Sequence, residues 1–167
     1  EKRTITINSI SKTYSVTGWR VGWAIAEKKL TERIRKVHDF LTVGAPTPFQ
    51  QAAVVALAFP EQYYLDLQGN YFEARKFLFD LLQATGFKPH LPKGAYYIIA
   101  DTSGLMERLN TTDDFAFSTR LIELTGVATV PGSSFYSNPV LGRQQVRFCF
   151  CKKWETLYAV KEALNKL

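Results

Sequence analysis

Between Pro60 and Gly86 the chain carries one unbroken apolar stripe, and this feature most restricts the folds open to it. Tyr64, Leu67, Tyr71, Ala74, Leu78 and Leu81 recur at three- and four-residue intervals, which places them along one face of a long helix. Pro60 closes the segment before it, and Gly86 is a good terminator. Such a stripe is most simply core. Its length also suits a helix that links two domains, so the residues before and after it are read as separate blocks.

In the first block, Arg3-Thr-Ile-Thr-Ile-Asn8 alternates and is β-branched, which predicts a strand. It runs into the polar stretch Asn8-Ser9-Ile10-Ser11-Lys12-Thr13, where a ligand-facing loop should lie, and a second strand is expected over residues 21–26. Leu30, Ile34, Val37 and Leu41 have helical spacing, with Gly44, Pro46 and Pro48 stopping that helix. A short apolar helix is expected over residues 49–57. In the second block, strands are expected at 87–90, at 95–100 after the turn Pro92-Lys93-Gly94, at 127–130 and at 145–151. One helix should begin at Thr112-Asp113-Asp114, whose side chains suit an N-terminus. Leu157, Val160, Leu164 and Leu167 give the closing helix its stripe. Strands alternating with helices predict an α/β sandwich.

The profile is globular, with 46% hydrophobic and 22% charged residues and no apolar run near the ~20 residues that a bilayer requires. The chain opens at Glu1 with neither an initiator methionine nor a charged-then-apolar leader, and reads as a soluble piece of a longer protein. A net charge of +6 raises the question of nucleic acid, but the basic residues are scattered as Lys28-Lys29, Arg33-Lys36 and Lys152-Lys153 rather than gathered in a stripe. Neither a nucleic acid nor a membrane is expected as a partner. Cys149 and Cys151 fall on one face of a strand, where a disulfide would be badly strained. They are read as reduced thiols of a cytoplasmic protein. With only His38 and His90 as imidazoles, no metal site is expected.

Lys12 follows a strand, flanked by Ser9 and Ser11, and eight residues later comes Gly18-Trp19-Arg20-Val21-Gly22. A phosphorylated aldehyde cofactor needs such a set: one amine for a Schiff base, with hydroxyls and a guanidinium for the phosphate dianion. Glycines let the backbone turn and approach closely. The amine also needs a lowered pKa, which a nearby fixed cation such as Arg20 helps to supply.

The string Ser9-Ile-Ser-Lys12-Thr-Tyr-Ser-Val-Thr-Gly-Trp-Arg20-Val-Gly22 resembles the cofactor-lysine signature of the class I/II, fold type I aminotransferases, which use pyridoxal 5′-phosphate. The resemblance continues through Ala45-Pro-Thr-Pro-Phe-Gln-Gln-Ala52, Pro92-Lys-Gly-Ala-Tyr-Tyr97, Gly126-Val-Ala-Thr-Val-Pro-Gly-Ser-Ser-Phe135 and Val146-Arg-Phe-Cys-Phe150. It implies the end of the large cofactor-binding domain over residues 1–59, an interdomain helix over 60–85, and a small C-terminal α/β sandwich domain over 86–167. By the same resemblance, Lys12 carries the cofactor and moves the proton between it and the substrate, Ser9 and Arg20 bind the phosphate, and Arg147 clamps the substrate α-carboxylate. The segment after Gly126 would help to close the site.

Strand alternation supports the role of Arg147 independently. Phe148 and Phe150 face one way, so Arg147 points to the opposite face, where a planar guanidinium can grip a carboxylate through two hydrogen bonds. A structural ion pair is the competing reading. Tyr96 and Tyr97 alternate, so at most one lines that face, and plain strand packing accounts for them equally well.

The resemblance covers only the later part of the family. Its aspartate at the pyridine nitrogen, a tyrosine, an asparagine and a stacking aromatic are expected before Glu1, so this chain alone is expected to be inactive or nearly so. It looks most like the branch acting on methionine, kynurenine, glutamine or aromatic amino acids, with aspartate-directed relatives still open. A homodimer using amino acids and 2-oxo acids is implied. A lyase or synthase on the same scaffold, a cofactor-sensing regulator and a purely structural module are the alternatives.

Overall fold

The computed structural model describes residues 3–167, which form two compact units meeting in sequence at Tyr63–Tyr64. The first contains β1 (Thr6–Ser9), β2 (Gly22–Ile25), α1 (Lys28–Leu41) and α2 (Thr47–Leu57). Helix α3 (Glu61–Ala84) begins at its end and runs into the second. There follow β3 (Lys88–Pro89), β4 (Tyr97–Asp101), the short α4 (Ser103–Met106), α5 (Asp114–Thr125), β5 (Val130–Pro131), β6 (Gln145–Cys149) and α6 (Trp154–Leu164).

In the first unit, β1 and β2 pair antiparallel over a small core of Ile10, Val21 and Ala53, against which Tyr14, Val16, Trp19 and Trp23 pack. The stripe on α1 makes a helix, but the helix has no buried residue; Phe40 is 95% exposed, and Val37 and Leu41 are also open. Its end also differs from expectation. Thr42 N–H donates to His38 O, and Val43, not Gly44, takes the left-handed turn with φ +62, an uncommon place for a β-branched residue.

The second unit is a four-stranded antiparallel sheet in the order β3-β4-β6-β5. Ile98 and Ala100 of β4 and Val146 and Phe148 of β6 turn to one face. There they meet Leu78, Leu81 and Leu82 of α3, Phe117 and Leu121 of α5, and Leu157 and Leu164 of α6. The expected helix ends are present with their physical causes. Gly86 has φ +92, Phe87 N–H reaches Leu82 O and Gly86 N–H reaches Gln83 O, the paired bonds of a Schellman stop. The Asp113 carboxylate accepts from Ala116 N–H at 2.8 Å and caps α5. Strand β1 begins three residues later than expected, β6 ends two residues earlier, and the strand expected over 127–130 shrinks to Val130–Pro131.

Candidate active site

The strand pairing sets Ser9 opposite Gly22. A Cβ on Gly22 would fall 2.7 Å from Asn8 O and 3.0 Å from the Ser9 Cβ, so only glycine allows this approach. Gly18 has open space around it and no such constraint. Gly22 therefore marks a close approach between the two strands, and Gly18 does not.

The loop between the strands is held at several points. Ile10 and Val21 are buried at its two ends. The Tyr63 hydroxyl donates to Thr13 O at 2.7 Å, and the Tyr14 ring stacks on Tyr63 at 5.7 Å. Lys12 stands exposed on this anchored loop, with Ser11 buried beside it and Ser9 half-buried. Lys12 Nζ donates to Thr17 Oγ1 at 3.4 Å, Thr17 Oγ1 donates to Ser11 O at 3.0 Å, and Arg20 Nη1 donates to Thr17 O at 2.9 Å. Thr17 thus ties the amine and the guanidinium to one residue. Sequence reasoning passed over it; its signal was a hydroxyl lying between the two cations within the loop. Ser15 and Arg20 both have φ +56, a costly conformation for residues with a side chain and one that clusters at functional sites.

Ser9, Ser11 and Arg20 line a cavity of about 1040 Å³ together with Arg35, His38 and Gln50. Serine hydroxyls beside a guanidinium with donors to spare fit a phosphate dianion, and an exposed amine on the same loop fits an aldehyde. The donor set therefore suits a phosphorylated aldehyde cofactor. Among the described residues no group of three metal-binding side chains occurs.

In the second unit, β6 carries Arg147 between buried Val146 and Phe148, so its side chain leaves the core face as alternation requires. Ile99 of β4 and Val130 of β5 lie opposite it. Its guanidinium carbon is 4.0 Å from the Tyr97 ring centroid and 4.6 Å from that of Phe135. Among the described residues it makes no ion pair or hydrogen bond. The competing reading as a structural ion pair finds no support there. Tyr97 is the tyrosine on this face, whereas Tyr96 packs at the core and stacks on Tyr71. Hydrogen bonding with Tyr96, then burial, pushes the Tyr97 phenol up from its usual value, with Arg147 pulling the other way.

Phe135 ends the turn Gly132–Phe135, which two close backbone approaches fix. A Cβ on Gly132 would meet Gln145 O at 2.6 Å, and one on Gly142 would collide with the Gly132 backbone. Ser133 N–H donates to the buried Asp114 carboxylate at 2.7 Å. Both aromatic walls around Arg147 are therefore set by the fold. Cys149 and Cys151 are free, as expected, with their sulfurs 3.1 Å apart.

The family described as "Aminotransferase class I and II" matches residues 1–164. The chain belongs to the class I and II aminotransferases. Members of this family depend on pyridoxal phosphate, the cofactor type that the Lys12 loop suits. The aminotransferase chain is 34% identical to kynurenine–oxoglutarate transaminase of Dictyostelium discoideum and to methionine aminotransferase of Escherichia coli, each alignment covering 99% of this chain. It spans 42% of the length of those relatives. Among solved structures, YbdL from Escherichia coli, reported with a methionine aminotransferase function, matches with a TM-score of 0.88 and 35% identity, over 99% of this chain and 43% of its own. N-Succinyldiaminopimelate aminotransferase from Mycobacterium tuberculosis matches with a TM-score of 0.88 and 32% identity, over 99% and 42%. The α/β architecture is thus that of a portion of the fold type I aminotransferases.

Proposed function

We propose that the protein carrying this chain moves an amino group between an amino acid and a 2-oxo acid, with Lys12 as its cofactor lysine. The observation that carries this is the hydrogen-bonded set Lys12–Thr17–Arg20 on the anchored loop beside Ser9. Lys12 Nζ would hold the cofactor, and the same amine would move a proton at the substrate α-carbon. Ser9 and Arg20 would hold the phosphate. Pyridoxal phosphate, when bound, supplies the ring that takes up the electron pair freed at the α-carbon. Arg147, stacked between Tyr97 and Phe135 with its N–H groups unspent, grips the substrate α-carboxylate through two parallel hydrogen bonds.

On this reading residues 1–59 end the cofactor-binding domain, residues 60–85 are the interdomain helix and residues 86–167 are the small domain. The open apolar faces of α1 and of β1, where Ile7 is 79% exposed, are covered by the earlier part of that domain. The span of 42% of the relatives leaves room for it. The substrate branch is the one acting on methionine, kynurenine, glutamine or aromatic amino acids; the names of the relatives support methionine and kynurenine. A homodimer and a cytoplasmic setting belong to the same reading; the free cysteines accord with the latter.

The test is product analysis on the intact protein with these amino acids and a 2-oxo acid. A new amino acid formed from the oxo acid is expected. Release of ammonia or pyruvate without it would assign a lyase. The isolated 167-residue chain is expected to show no turnover, and parent-like rates from it would contradict the need for further site residues.

A further inference from the structure

We propose that Cys149 and Cys151 form a reversible dithiol–disulfide pair that controls how well Arg147 holds a carboxylate; this rests on the role given to Arg147 above. The two sulfurs lie 3.1 Å apart, both side chains are partly exposed, and the chain has no other cysteine to compete. An extended chain sets the Cα atoms of residues i and i+2 roughly 6.6 Å apart, near the upper end of the ~4.4–6.8 Å that a disulfide spans. Closing the bond shortens that separation towards the ~5.5–6 Å that disulfides favour and so draws the end of β6 out of extended geometry. A strained, accessible disulfide is easily reduced again, which suits regulation rather than permanent bracing.

The connection to the arginine is short. Cys149 ends β6 directly opposite Tyr97, and the Tyr97 ring lies over the Arg147 guanidinium. Movement at Cys149 thus shifts one wall of the pair of rings that orients Arg147. The chemistry is thiol–disulfide exchange with a low-molecular-weight disulfide. One cysteine thiolate attacks a sulfur of the small disulfide and expels the first small thiolate. The second cysteine gives up its proton and displaces the other small thiolate, closing the Cys149–Cys151 bond. Two protein thiols are oxidised, the small disulfide is reduced to two thiols, and these take up the two protons. Burial first, then its hydrogen bond with Cys149, pushes the Cys151 thiol up to about 11.

The intact protein would be equilibrated in graded mixtures of reduced and oxidised glutathione. Mass spectrometry would follow loss of two hydrogens and a peptide linked between Cys149 and Cys151, and KM for the amino-acid donor would be measured in parallel. Oxidation should raise KM roughly tenfold, and dithiothreitol should restore it. Cys149→Ser and Cys151→Ser should keep the reduced-state KM and ignore the oxidant. Glutathione adducts without the internal bond, or the internal bond without a change in KM, would overturn the proposal. Arg147→Lys measured alongside separates the two readings. If it raises KM while oxidation does not, the switch alone is refuted; if it leaves KM unchanged, the role of Arg147 fails.

Discussion

Replacing Arg147 with lysine keeps a cation on β6 and removes the planar fork. The guanidinium sits 4.0 Å from the Tyr97 ring and 4.6 Å from Phe135, with no ion pair among the described residues. Its orientation is therefore set by stacking, and its N–H groups are available to a ligand. Losing one of two charge-assisted hydrogen bonds to a carboxylate costs about 1.5–3 kcal/mol. A lysine that stacks less well on the two rings forgoes roughly another 0.5–1 kcal/mol. The sum, about 2–4 kcal/mol, corresponds to a roughly 30- to 700-fold loss of kcat/KM at ~1.4 kcal/mol per factor of ten. Because no buried partner is orphaned, stability should fall by no more than the lost stacking, about 1 kcal/mol. The assay is steady-state transamination by the intact protein, with urea unfolding of the same samples. A kcat/KM within threefold of the parent, or a loss matched by destabilisation, would show that Arg147 is only a packing residue.

Gly22→Ala places a Cβ against Asn8 O and the Ser9 Cβ, so it should destabilise the β1–β2 pair by about 1–3 kcal/mol and weaken cofactor retention, measured by the cofactor's absorbance after dialysis. Gly18→Ala, with open space, should do neither. Asp113→Ala removes the cap on α5 and should cost about 1 kcal/mol in urea unfolding with the steady-state constants unchanged; a neutral result would mean that the cap carries no net stability. The Cys151 thiol, raised from 9.0 to about 11 chiefly by burial, is stabilised in its protonated form by the fold. Its contribution is whole below pH 9 and is lost as pH rises through about 11. Alkylation of Cys151 in Cys149→Ser would track this, since the burial that dominates the shift remains, and a midpoint near 9 would contradict it.

Much of this structure was legible in the sequence where a local rule acts alone. The α3 stripe, the Gly86 stop and the Asp113 cap each depend on a few neighbouring residues, and all are present. Alternation correctly turned Arg147 away from Phe148. Tertiary packing decided the rest. The α1 stripe shows a helical period but cannot show what covers it, and among the described residues nothing buries Val37 or Leu41. The short α4 buries only Leu105 and Met106, too few positions to reveal a period. Phe135 meets Arg147 from twelve residues away through a turn fixed by glycine–backbone contacts, which no spacing rule exposes. Thr17 was hidden for a similar reason: its role comes from a folded loop that brings two cations to one threonine.

The central claim is that Lys12 holds the cofactor. Incubating the intact protein with pyridoxal phosphate, reducing it with borohydride and sequencing the peptides by mass spectrometry tests this directly. A phosphopyridoxyl group on Lys12, absent in Lys12→Ala, is the expected result. Modification centred on another lysine, or an equal yield of cofactor adduct in Lys12→Ala, would contradict it.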